Sequence, residues 1–553
     1  MGNESKVDGI VQASSDITGQ QEMTEQQRLD SIIAELEAEE EEMRSGSEAR
    51  HLQTIRREKQ AAAASSIAKR VAPQSIKPKL KLHHRARGHA VPSPMPWTGR
   101  EPAFRIASAG GFFGINEIHP KDLVHTLTIG GTGSGKTVSN VLPLLKAQLR
   151  YALPSGQGIK RSSVLVIDPK HELLGAVQDV LMSQGESDRL IVLAGQRKSC
   201  PVKFFSADEN LTNRERLCKI NVVLGTADMA ADGHSYWHVS GMQVLERCMN
   251  LEEAYRSARK KSLVNLWLAK IETETTQKAR SKSKGFWAAL LSILNSTRTG
   301  KSSFRWANTC LKELLKEAGL KDHPDATTMD SFQEESDLMQ WQYRVQSADP
   351  VIRLLADPEI ARAVDMDPFP STNAKSLDLR DAIDAGVVVL FQPSPEPNSV
   401  IAARAIKSQW YAAVRNRSDM ERPVGVVVDE FQRFVTLDEA SGDANFLDVA
   451  RGYRCNCVFA TQSLEALLNA LKSSRHAEAA VASIVANTPS KFFFAVKDQK
   501  TEQVMRNLLP NSPGTGPHIV TARPPSLLKP GEAYWSLADG RWGRGRARVE
   551  SFC

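Results

Sequence analysis

Short apolar runs alternate with amphipathic stretches over most of this 553-residue chain. Runs rich in Val, Ile, Leu and Phe predict buried strands. These runs are 124–129, 163–167, 189–193, 386–391, 424–428, 457–460 and 492–496. Segments with helical spacing of apolar positions lie between them, the first at 138–149, and a hairpin is expected at 104–114. Strands that alternate with helices indicate an α/β fold with a parallel sheet covered on both faces.

The pattern changes in the middle of the chain, where proline is absent between Val202 and His323. Three segments there have helical spacing, at 263–271, 286–294 and 311–315. They predict an all-α domain inserted into the α/β sheet. The expected organisation is a charged extension and linker at 1–96, a first α/β part at 97–225, the all-α insertion at 226–345, and a second α/β part with a basic tail at 346–553.

Charge is distributed unevenly along the chain, although the net charge is only +7. Residues 1–50 carry 13 acidic and 4 basic side chains, whereas residues 51–100 carry 11 basic and 1 acidic. Such blocks are typical of solvated tails, so a partly disordered extension is expected. No apolar run approaches the roughly 18–20 residues that cross a bilayer. The seven cysteines form no disulfide framework, and we therefore expect a cytoplasmic chain without a transmembrane segment.

The most informative segment follows the strand at 124–129 and matches the phosphate-binding pattern of two spaced glycines before Lys and Thr. Its residues are Gly130, Gly131, Thr132, Gly133, Ser134, Gly135, Lys136 and Thr137. A loop between a strand and a helix directs backbone N–H groups and the positive end of the helix dipole at an anion. Lys136 is expected to reach the β- and γ-phosphates and Thr137 to bind Mg²⁺. The alternative is a Gly-rich turn that matches by chance, but strand, helix and complete pattern together predict a nucleoside triphosphate site.

A buried strand at 424–428 ends in two carboxylates, Asp429 and Glu430. Asp429 can hold Mg²⁺, and Glu430 can orient and deprotonate the attacking water. Such strand ends also occur as ordinary structural features. Downstream of a phosphate loop, the acid pair favours ATP hydrolysis over binding alone.

Two further candidates lie close together in the sequence. Gln462 follows the strand at 457–460 and could sense the γ-phosphate; the alternative is a glutamine that simply caps the following helix. Arg451 is a candidate arginine finger that acts on the nucleotide of a neighbouring subunit. Surface arginines are common, so a purely solvated Arg451 is the alternative.

Four segments together resemble the type IV secretion coupling proteins of the TraG/TraD kind, which belong to the FtsK–HerA class of DNA-pumping ATPases. They are 125–137, 166–172, 427–431 and 460–464. The phosphate loop alone is generic, whereas the four motifs in this order are specific. The resemblance covers roughly 105–510 of the chain.

The resemblance implies a RecA-like P-loop ATPase that uses ATP and Mg²⁺ and assembles as a homo-hexamer. Such a motor recruits DNA, single-stranded and without sequence preference, from the relaxosome and drives it through a type IV secretion channel. By this resemblance, Lys136 and Thr137 bind the phosphates and Mg²⁺, and Asp429 and Glu430 bind the metal and the attacking water. Gln462 has a sensing role, and Arg451 acts on the neighbouring active site. Asp168 and Lys170 match a family signature without an assigned role, and a strand-end carboxylate bonded to nearby N–H groups would explain Asp168 equally well.

The chain departs from the family pattern at its N-terminal region. Family members usually carry transmembrane helices there, whereas this chain has the charged extension, so contact with the inner membrane is expected through a partner. The hypothesis is that 24–90 docks onto a membrane partner or onto the DNA complex. The net charge of +8 over 250–320 (14 basic, 6 acidic) suits contacts to DNA phosphates or a solvated helix face. Aromatic residues of the insertion either stack on bases or form its core; they are Trp267, Phe286, Trp287 and Trp306.

Two other functions remain compatible with these residues. One is a duplex-DNA segregation or repair pump of the same FtsK–HerA class. The other is an adaptor that recruits protein substrates and uses the nucleotide as a switch. Glu430 argues against the adaptor, because a pure switch has no need of a carboxylate that activates water.

Overall fold

The computed structural model describes part of the chain, and every structural statement below concerns that part. It comprises 104–108, 115–118, 125–155, 158–193, 200–205, 211–224, 235–274, 285–297, 301–326, 348–369, 376–437, 442–472, 476–509, 524–538, 540 and 542–547. The charged extension predicted at 1–96 lies outside the described residues, and so does the docking hypothesis for 24–90.

The strands are numbered in chain order. They are β1 (Phe104–Ser108), β2 (Ile115–Ile118), β3 (His125–Ile129), β4 (Ala152–Ser155), β5 (Gly158–Arg161), β6 (Ser163–Ile167), β7 (Leu190–Leu193), β8 (Val202–Lys203), β9 (Val364–Asp365), β10 (Val388–Phe391), β11 (Val424–Val428), β12 (Cys455–Thr461), β13 (Ser490–Phe493), β14 (Glu532–Ser536) and β15 (Trp542–Ala547). Most of them join one sheet in the order β2-β1-β15-β14-β13-β3-β12-β11-β6-β10-β7. Two small sheets, β4-β5 and β8-β9, lie apart from it.

The large sheet has a parallel part and an antiparallel part. The strands from β13 to β7 are parallel to one another, whereas β14, β15, β1 and β2 pair antiparallel along one edge, beginning with β14 on β13. The predicted α/β class with a parallel sheet is therefore confirmed. A hairpin is present, but its second strand β2 lies beyond the expected range of 104–114 and ends at Ile118. Strand β1 also pairs with the C-terminal strand β15.

The helices are likewise numbered in chain order. They are α1 (Leu142–Arg150), α2 (Leu174–Ser183), α3 (Asn213–Leu224), α4 (Ser235–Arg259), α5 (Leu263–Glu274), α6 (Phe286–Thr297), α7 (Lys301–Glu317), α8 (Pro358–Ala363), α9 (Leu379–Asp384), α10 (Pro397–Asn416), α11 (Asp443–Ala450), α12 (Leu464–Ala470), α13 (Ala477–Asn487) and α14 (Gln499–Leu508). A further helical segment spans 348–355. None of the described helices is long and apolar enough to cross a membrane.

Apolar side chains cover both faces of the parallel strands. In β6, Val164 and Val166 pack on the face covered by α1 and α2. Leu165 and Ile167 point to the opposite face, where α10 and α11 contribute to the core. Burial on both faces explains why β6, β10 and β11 are nearly continuous apolar runs in the sequence, with no polar position every second residue.

The helices predicted at 263–271, 286–294 and 311–315 are present as α5, α6 and α7, which pack against one another. Trp267, Phe286 and Trp287 are buried among them. The indole N–H of Trp267 donates to the Ala307 carbonyl at 2.6 Å, which satisfies its polar atom inside the core. These three aromatics are therefore core residues and not base-stacking surfaces. The boundaries of the insertion, 226–345, stay a prediction.

A fully buried ion pair connects α10 to α11. The ammonium group of Lys407 donates to Asp443 Oδ1 at 2.6 Å and to the Phe434 carbonyl at 2.6 Å. Asp443 also accepts hydrogen bonds from the Tyr411 hydroxyl at 2.7 Å and from the Thr436 N–H at 2.7 Å. The pair thereby ties two helices to the segment that follows β11.

Candidate functional site

Polar residues follow four neighbouring strands at the carboxyl edge of the parallel sheet. The loop 130–137 follows β3, Gln462 follows β12, Asp429 and Glu430 follow β11, and Asp168 follows β6. These strands are adjacent in the order β3-β12-β11-β6. Carboxyl ends of parallel strands meet at one edge, where open α/β sheets bind their ligands. The fold thus brings the predicted nucleotide residues together.

Backbone hydrogen bonds hold the base of the loop between two strands. The Gly130 N–H donates to the Thr461 carbonyl of β12 at 3.1 Å, and the Gly131 N–H donates to the Ala495 carbonyl beyond β13 at 2.9 Å. Thr132 and Gly133 are exposed at the tip, whereas Ser134 is buried. The loop is therefore anchored at its start and open where a phosphate would approach.

Gly135 is required by both its conformation and its surroundings. Its φ is +83°, in the left-handed region that favours glycine. A Cβ placed on it would lie 2.7 Å from the backbone nitrogen of Gly531, and the Gly531 N–H donates to the Ser134 carbonyl at 2.9 Å. The connection that leads into β14 therefore supports the phosphate loop directly.

The helix after the loop begins differently from the expectation. The first turn, Thr137–Val141, is π-helical, and the Leu142 N–H donates to the Thr137 carbonyl five residues back. Regular α-helix begins only at α1. Pro143 has no N–H to donate to Ser139, which weakens the α-helical pattern at this point. Wide turns of this kind are common at functional sites.

Lys136 and Thr137 lie beside the two carboxylates. Lys136 is buried, with its ammonium nitrogen 3.6 Å from Glu430 Oε1. The Thr137 hydroxyl donates to Asp429 Oδ2 at 3.2 Å. Burial raises the pKa of Asp429, against the opposing effect of Lys170 and Lys136. A hydroxyl and a carboxylate held in contact are oxygen ligands of the kind that Mg²⁺ prefers.

The residues at this edge fit a metal that is shared with a phosphate. Within the described ranges, no three His, Cys, Asp or Glu side chains form a group that could hold a metal ion. Mg²⁺ typically takes one or two protein ligands and completes its coordination with waters and substrate phosphates. Thr137 and Asp429 together with a phosphate loop supply that arrangement.

Glu430 makes the largest number of polar contacts in the site. Its Oε2 accepts hydrogen bonds from the side-chain amides of Gln462 at 2.9 Å and Gln432 at 2.5 Å. Its backbone has φ +50°, a rare conformation for a residue with a side chain and one that concentrates at functional sites. Burial alone would raise the pKa of Glu430, but the ion pair with Lys170, the charge of Lys136 and the two amides lower it to about 2.

The capping alternative for Gln462 is wrong. The residue that caps α12 is Ser463, whose hydroxyl oxygen accepts from the Ala466 N–H at 2.9 Å. The amide of Gln462 instead contacts Glu430. Gln462 is therefore positioned within the site, although its sensing role stays a prediction.

Two residues of the site were missed or left without a role by sequence reasoning. Lys170 forms an ion pair with Glu430 and lies 4.0 Å from Asp429 Oδ2. Gln432 bridges Glu430 and Thr461, whose hydroxyl donates to Gln432 Oε1 at 3.0 Å. Lys170 matched a family signature in the sequence, but its contact with Glu430 depends on β6 and β11 being neighbours, which that match does not reveal. Gln432 carried no comparable signal.

Asp168 shapes the turn that carries Lys170. Its carboxylate accepts from the backbone N–H groups of Glu172 at 3.1 Å and Leu173 at 2.9 Å, and from the Gln392 amide at 3.3 Å. The interpretation of Asp168 as a carboxylate bonded to nearby N–H groups is therefore confirmed. His171, inside the same turn, has φ +60°.

Arg451 is not brought to this edge. It lies exposed just before β12, at the amino end of the strand whose carboxyl end contacts the phosphate loop. The seven residues of β12 span about 20 Å at roughly 3.3 Å per residue. Arg451 therefore cannot reach the phosphate loop of its own chain.

Comparison with known proteins agrees with this geometry. A family model described as type IV secretory system conjugative DNA transfer matches residues 54–511. The chain belongs to the conjugative DNA transfer family. The expected family and its function in conjugative transfer by a type IV secretory system are thereby confirmed.

Solved structures of a conjugative coupling protein share the fold of this chain. The plasmid coupling protein TrwB with a non-hydrolysable GTP analogue is 16% identical, with a TM-score of 0.51 over 82% of this chain and 91% of that chain. TrwB with ADP and Mg²⁺ is 16% identical, with a TM-score of 0.50 over the same shares. Unbound TrwBΔN70 is 14% identical, with a TM-score of 0.50 over 82% and 90%. No curated protein is similar enough in sequence to count as a match.

Proposed function

We propose that this chain is an ATP-hydrolysing motor that couples DNA of the relaxosome to a type IV secretion channel and translocates it. The observation that carries the proposal is the meeting of a phosphate loop, a carboxylate pair and a polar strand end at one edge of the sheet. Membership of the conjugative DNA transfer family indicates the process that this chemistry serves.

The nucleotide is proposed to bind at the loop 130–137. Its backbone N–H groups and the helix that follows favour a polyphosphate, and the buried Lys136 supplies the cation for the β- and γ-phosphates. Thr137 and Asp429 would hold Mg²⁺. When bound, the metal neutralises charge on the phosphates and polarises the γ-phosphate. Structures of TrwB with ADP and Mg²⁺ and with a non-hydrolysable ATP analogue support this assignment.

Glu430 is the proposed general base. It lies within reach of both Lys136 and Asp429, so a water beside the γ-phosphate would lie near its carboxylate. The proton of that water passes to Glu430 as the water oxygen attacks the phosphorus and the bond to the leaving ADP oxygen breaks. We propose that Gln462 registers whether the γ-phosphate is present, and its hydrogen bond to Glu430 supports this role.

Arg451 is proposed to act on a neighbouring subunit. Its distance from its own phosphate loop, about 20 Å by strand length, is compatible with a role only in an assembly. An arginine at a subunit boundary would stabilise the transition-state charge across it, as arginine fingers do. A closed ring, in our proposal a homo-hexamer, supplies such a boundary for every site.

The experiment that tests the motor is ATP hydrolysis by the purified chain, with and without oligo-dT, over a salt series. We expect turnover that rises with single-stranded DNA and loses this stimulation as salt screens the phosphate contacts. Lys136→Ala is the blank, and Glu430→Gln should retain nucleotide binding while losing hydrolysis by about 10²–10⁴-fold. Hydrolysis that is indifferent to Lys136→Ala would contradict the proposed site.

A mixing experiment tests the role of Arg451. Arg451→Ala and Lys136→Ala should each be inactive alone. Mixed subunits should recover part of the activity, because an intact Arg451 from one variant then faces an intact phosphate loop of the other. An Arg451→Ala variant with wild-type turnover would remove the arginine finger from the proposal.

A further inference from the structure

The carboxylate of Glu430 is surrounded by four polar side chains. Its Oε1 faces two ammonium groups, Lys170 in an ion pair and Lys136 at 3.6 Å. Its Oε2 accepts from two amides, Gln462 and Gln432. A general base must accept a hydrogen bond from the water that it deprotonates. The ion pair with Lys170 therefore competes with that water for Oε1, and Glu430 is a more effective base once this contact is released.

The two lysines differ in how easily they can leave. Only 3% of the Lys136 side chain is exposed, and its ammonium group is committed to the phosphates in the proposed mechanism. The Lys170 side chain is 32% exposed, so its flexible stem can carry the ammonium group into solvent, while the buried Glu430 carboxylate keeps Lys136 as a neighbouring cation. Lys170 is thus the contact that can open.

The turn that carries Lys170 is built to present it at this place. Asp168 binds the N–H groups of Glu172 and Leu173, so the turn is closed by a buried carboxylate. Because β6 and β11 are adjacent and in register, with Ile167 beside Val428, this turn and Glu430 leave the sheet side by side. The ion pair therefore follows from the strand order and not from a chance surface contact.

We propose that Lys170 is a positioning residue that restrains Glu430 in the resting site, and that opening of this ion pair sets the unstimulated rate of hydrolysis. The inference rests on the proposed function, since it concerns the base of the same reaction. Because Lys170 contacts the base, and the phosphate cradle is carried by other residues, the effect falls on kcat and leaves the KM for ATP nearly unchanged.

The test compares the steady-state kinetics of Lys170→Met, Lys170→Arg and wild type without DNA. Lys170→Met should raise kcat roughly fivefold, the size expected for the loss of one partly exposed ion pair, with KM within twofold. Lys170→Arg retains the charge and should stay near the wild-type rate. Oligo-dT should stimulate Lys170→Met less than wild type, because part of the activation has already occurred.

Lys160→Met is the matched control. Lys160 also pairs with carboxylates, Asp419 at 2.8 Å and Glu421 at 3.2 Å, and is 22% exposed, but it lies in β5 outside the site. Its replacement should leave kcat unchanged. An equal rise in Lys160→Met would show that any lost surface lysine has this effect and would overturn the inference.

A lower or unchanged kcat in Lys170→Met would also overturn the restraint while leaving the proposed ATPase intact. If neither wild type nor Lys170→Met hydrolyses ATP, the motor and the restraint fail together. Reductive methylation followed by mass spectrometry tests the ion pair itself without relying on turnover. Lys170 should react faster in Glu430→Gln than in wild type, and equal reactivity would contradict the ion pair.

Discussion

Two lysine–carboxylate pairs in this molecule use the same chemistry in different surroundings. Lys407 and Asp443 are completely buried, and partners from the surrounding chain occupy the remaining acceptor positions of Asp443. Lys170 and Glu430 lie at the carboxyl edge of the sheet, where a third of the lysine side chain is exposed. The first pair can open only if the protein unfolds, whereas the second can open within the folded state. The comparison predicts that loss of the Lys407–Asp443 pair lowers the stability of the fold, whereas loss of the Lys170–Glu430 pair changes the rate of ATP turnover.

The largest expected effect is on the buried pair. Lys407→Met should lower the free energy of unfolding by about 3–5 kcal/mol, because it leaves the Asp443 carboxylate buried without its ion-pair partner. Denaturant unfolding followed by circular dichroism measures this loss. Lys500→Met is the control, since it removes an exposed ion pair to Glu478 and should cost less than about 0.5 kcal/mol. Similar losses of stability in the two variants would contradict the distinction between the buried ion pair and the exposed one.

Lys491 is a further buried lysine, and its ammonium group donates to a backbone carbonyl instead of a carboxylate. Lys491 donates to the Thr488 carbonyl at 2.6 Å, and burial lowers its pKa to about 8. Since the folded-state pKa lies below the unfolded value, the destabilisation is complete below pH 8 and fades as the pH rises towards 10.5. Relative to Lys491→Met, wild type should gain about 2 kcal/mol of stability between pH 7 and 9.5. Parallel stability curves for the two proteins would contradict this linkage.

A smaller effect is expected at the turn below Lys170. Asp168→Asn should cost about 1–2 kcal/mol, because an amide cannot accept from all the N–H donors that face this carboxylate. It should also raise the unstimulated kcat in the direction of Lys170→Met. Asp357→Asn is the control: Asp357 caps α8 through the N–H groups of Glu359 and Ile360, so stability should fall without a change in kcat. A raised kcat in both variants would show that the change in turnover does not depend on the turn at Asp168.

The smallest expected change in stability is at Glu430. Glu430→Gln should unfold within about 1 kcal/mol of wild type, because the amide removes a carboxylate that is costly to bury, while Lys136 and Lys170 keep the charge of Asp429 nearby. Thermal and denaturant unfolding measure this value on the same preparation that has lost hydrolysis. A loss as large as that of Lys407→Met would make the two pairs alike and contradict the comparison.

The order of motifs in the sequence was enough to predict the α/β fold and most of the site. Strands at 163–167 and 424–428 were predicted at their observed positions, since strands buried on both faces are continuously apolar. The pairing of β1 with β15 was not predicted, because a register between segments more than 400 residues apart leaves no local signal. The π-helical turn after Lys136 was also missed, since it depends on how the loop meets α1.

Within the site, residues with a motif were predicted and residues defined by adjacency were not. Asp429 and Glu430 could be paired with the phosphate loop, because the acid pair and the loop each follow a recognisable strand. The contact of Lys170 with Glu430 depends on β6 lying next to β11, although their sequence positions are far apart. The buried pair of Lys407 and Asp443 gave no signal at all, because a lysine in a helix is normally read as exposed.

The central position of β3 has a consequence for how the chain is made. Its neighbours in the sheet, β12 and β13, lie more than 300 residues further along the chain, and the support from Gly531 comes later still. At about 5–20 residues per second, a ribosome needs roughly 15–65 s to add the partners of that strand. During this interval β3 has no native neighbour on either side. The phosphate loop is therefore among the last features to form during synthesis, and a chain that ends before β14 would lack the backbone that holds it.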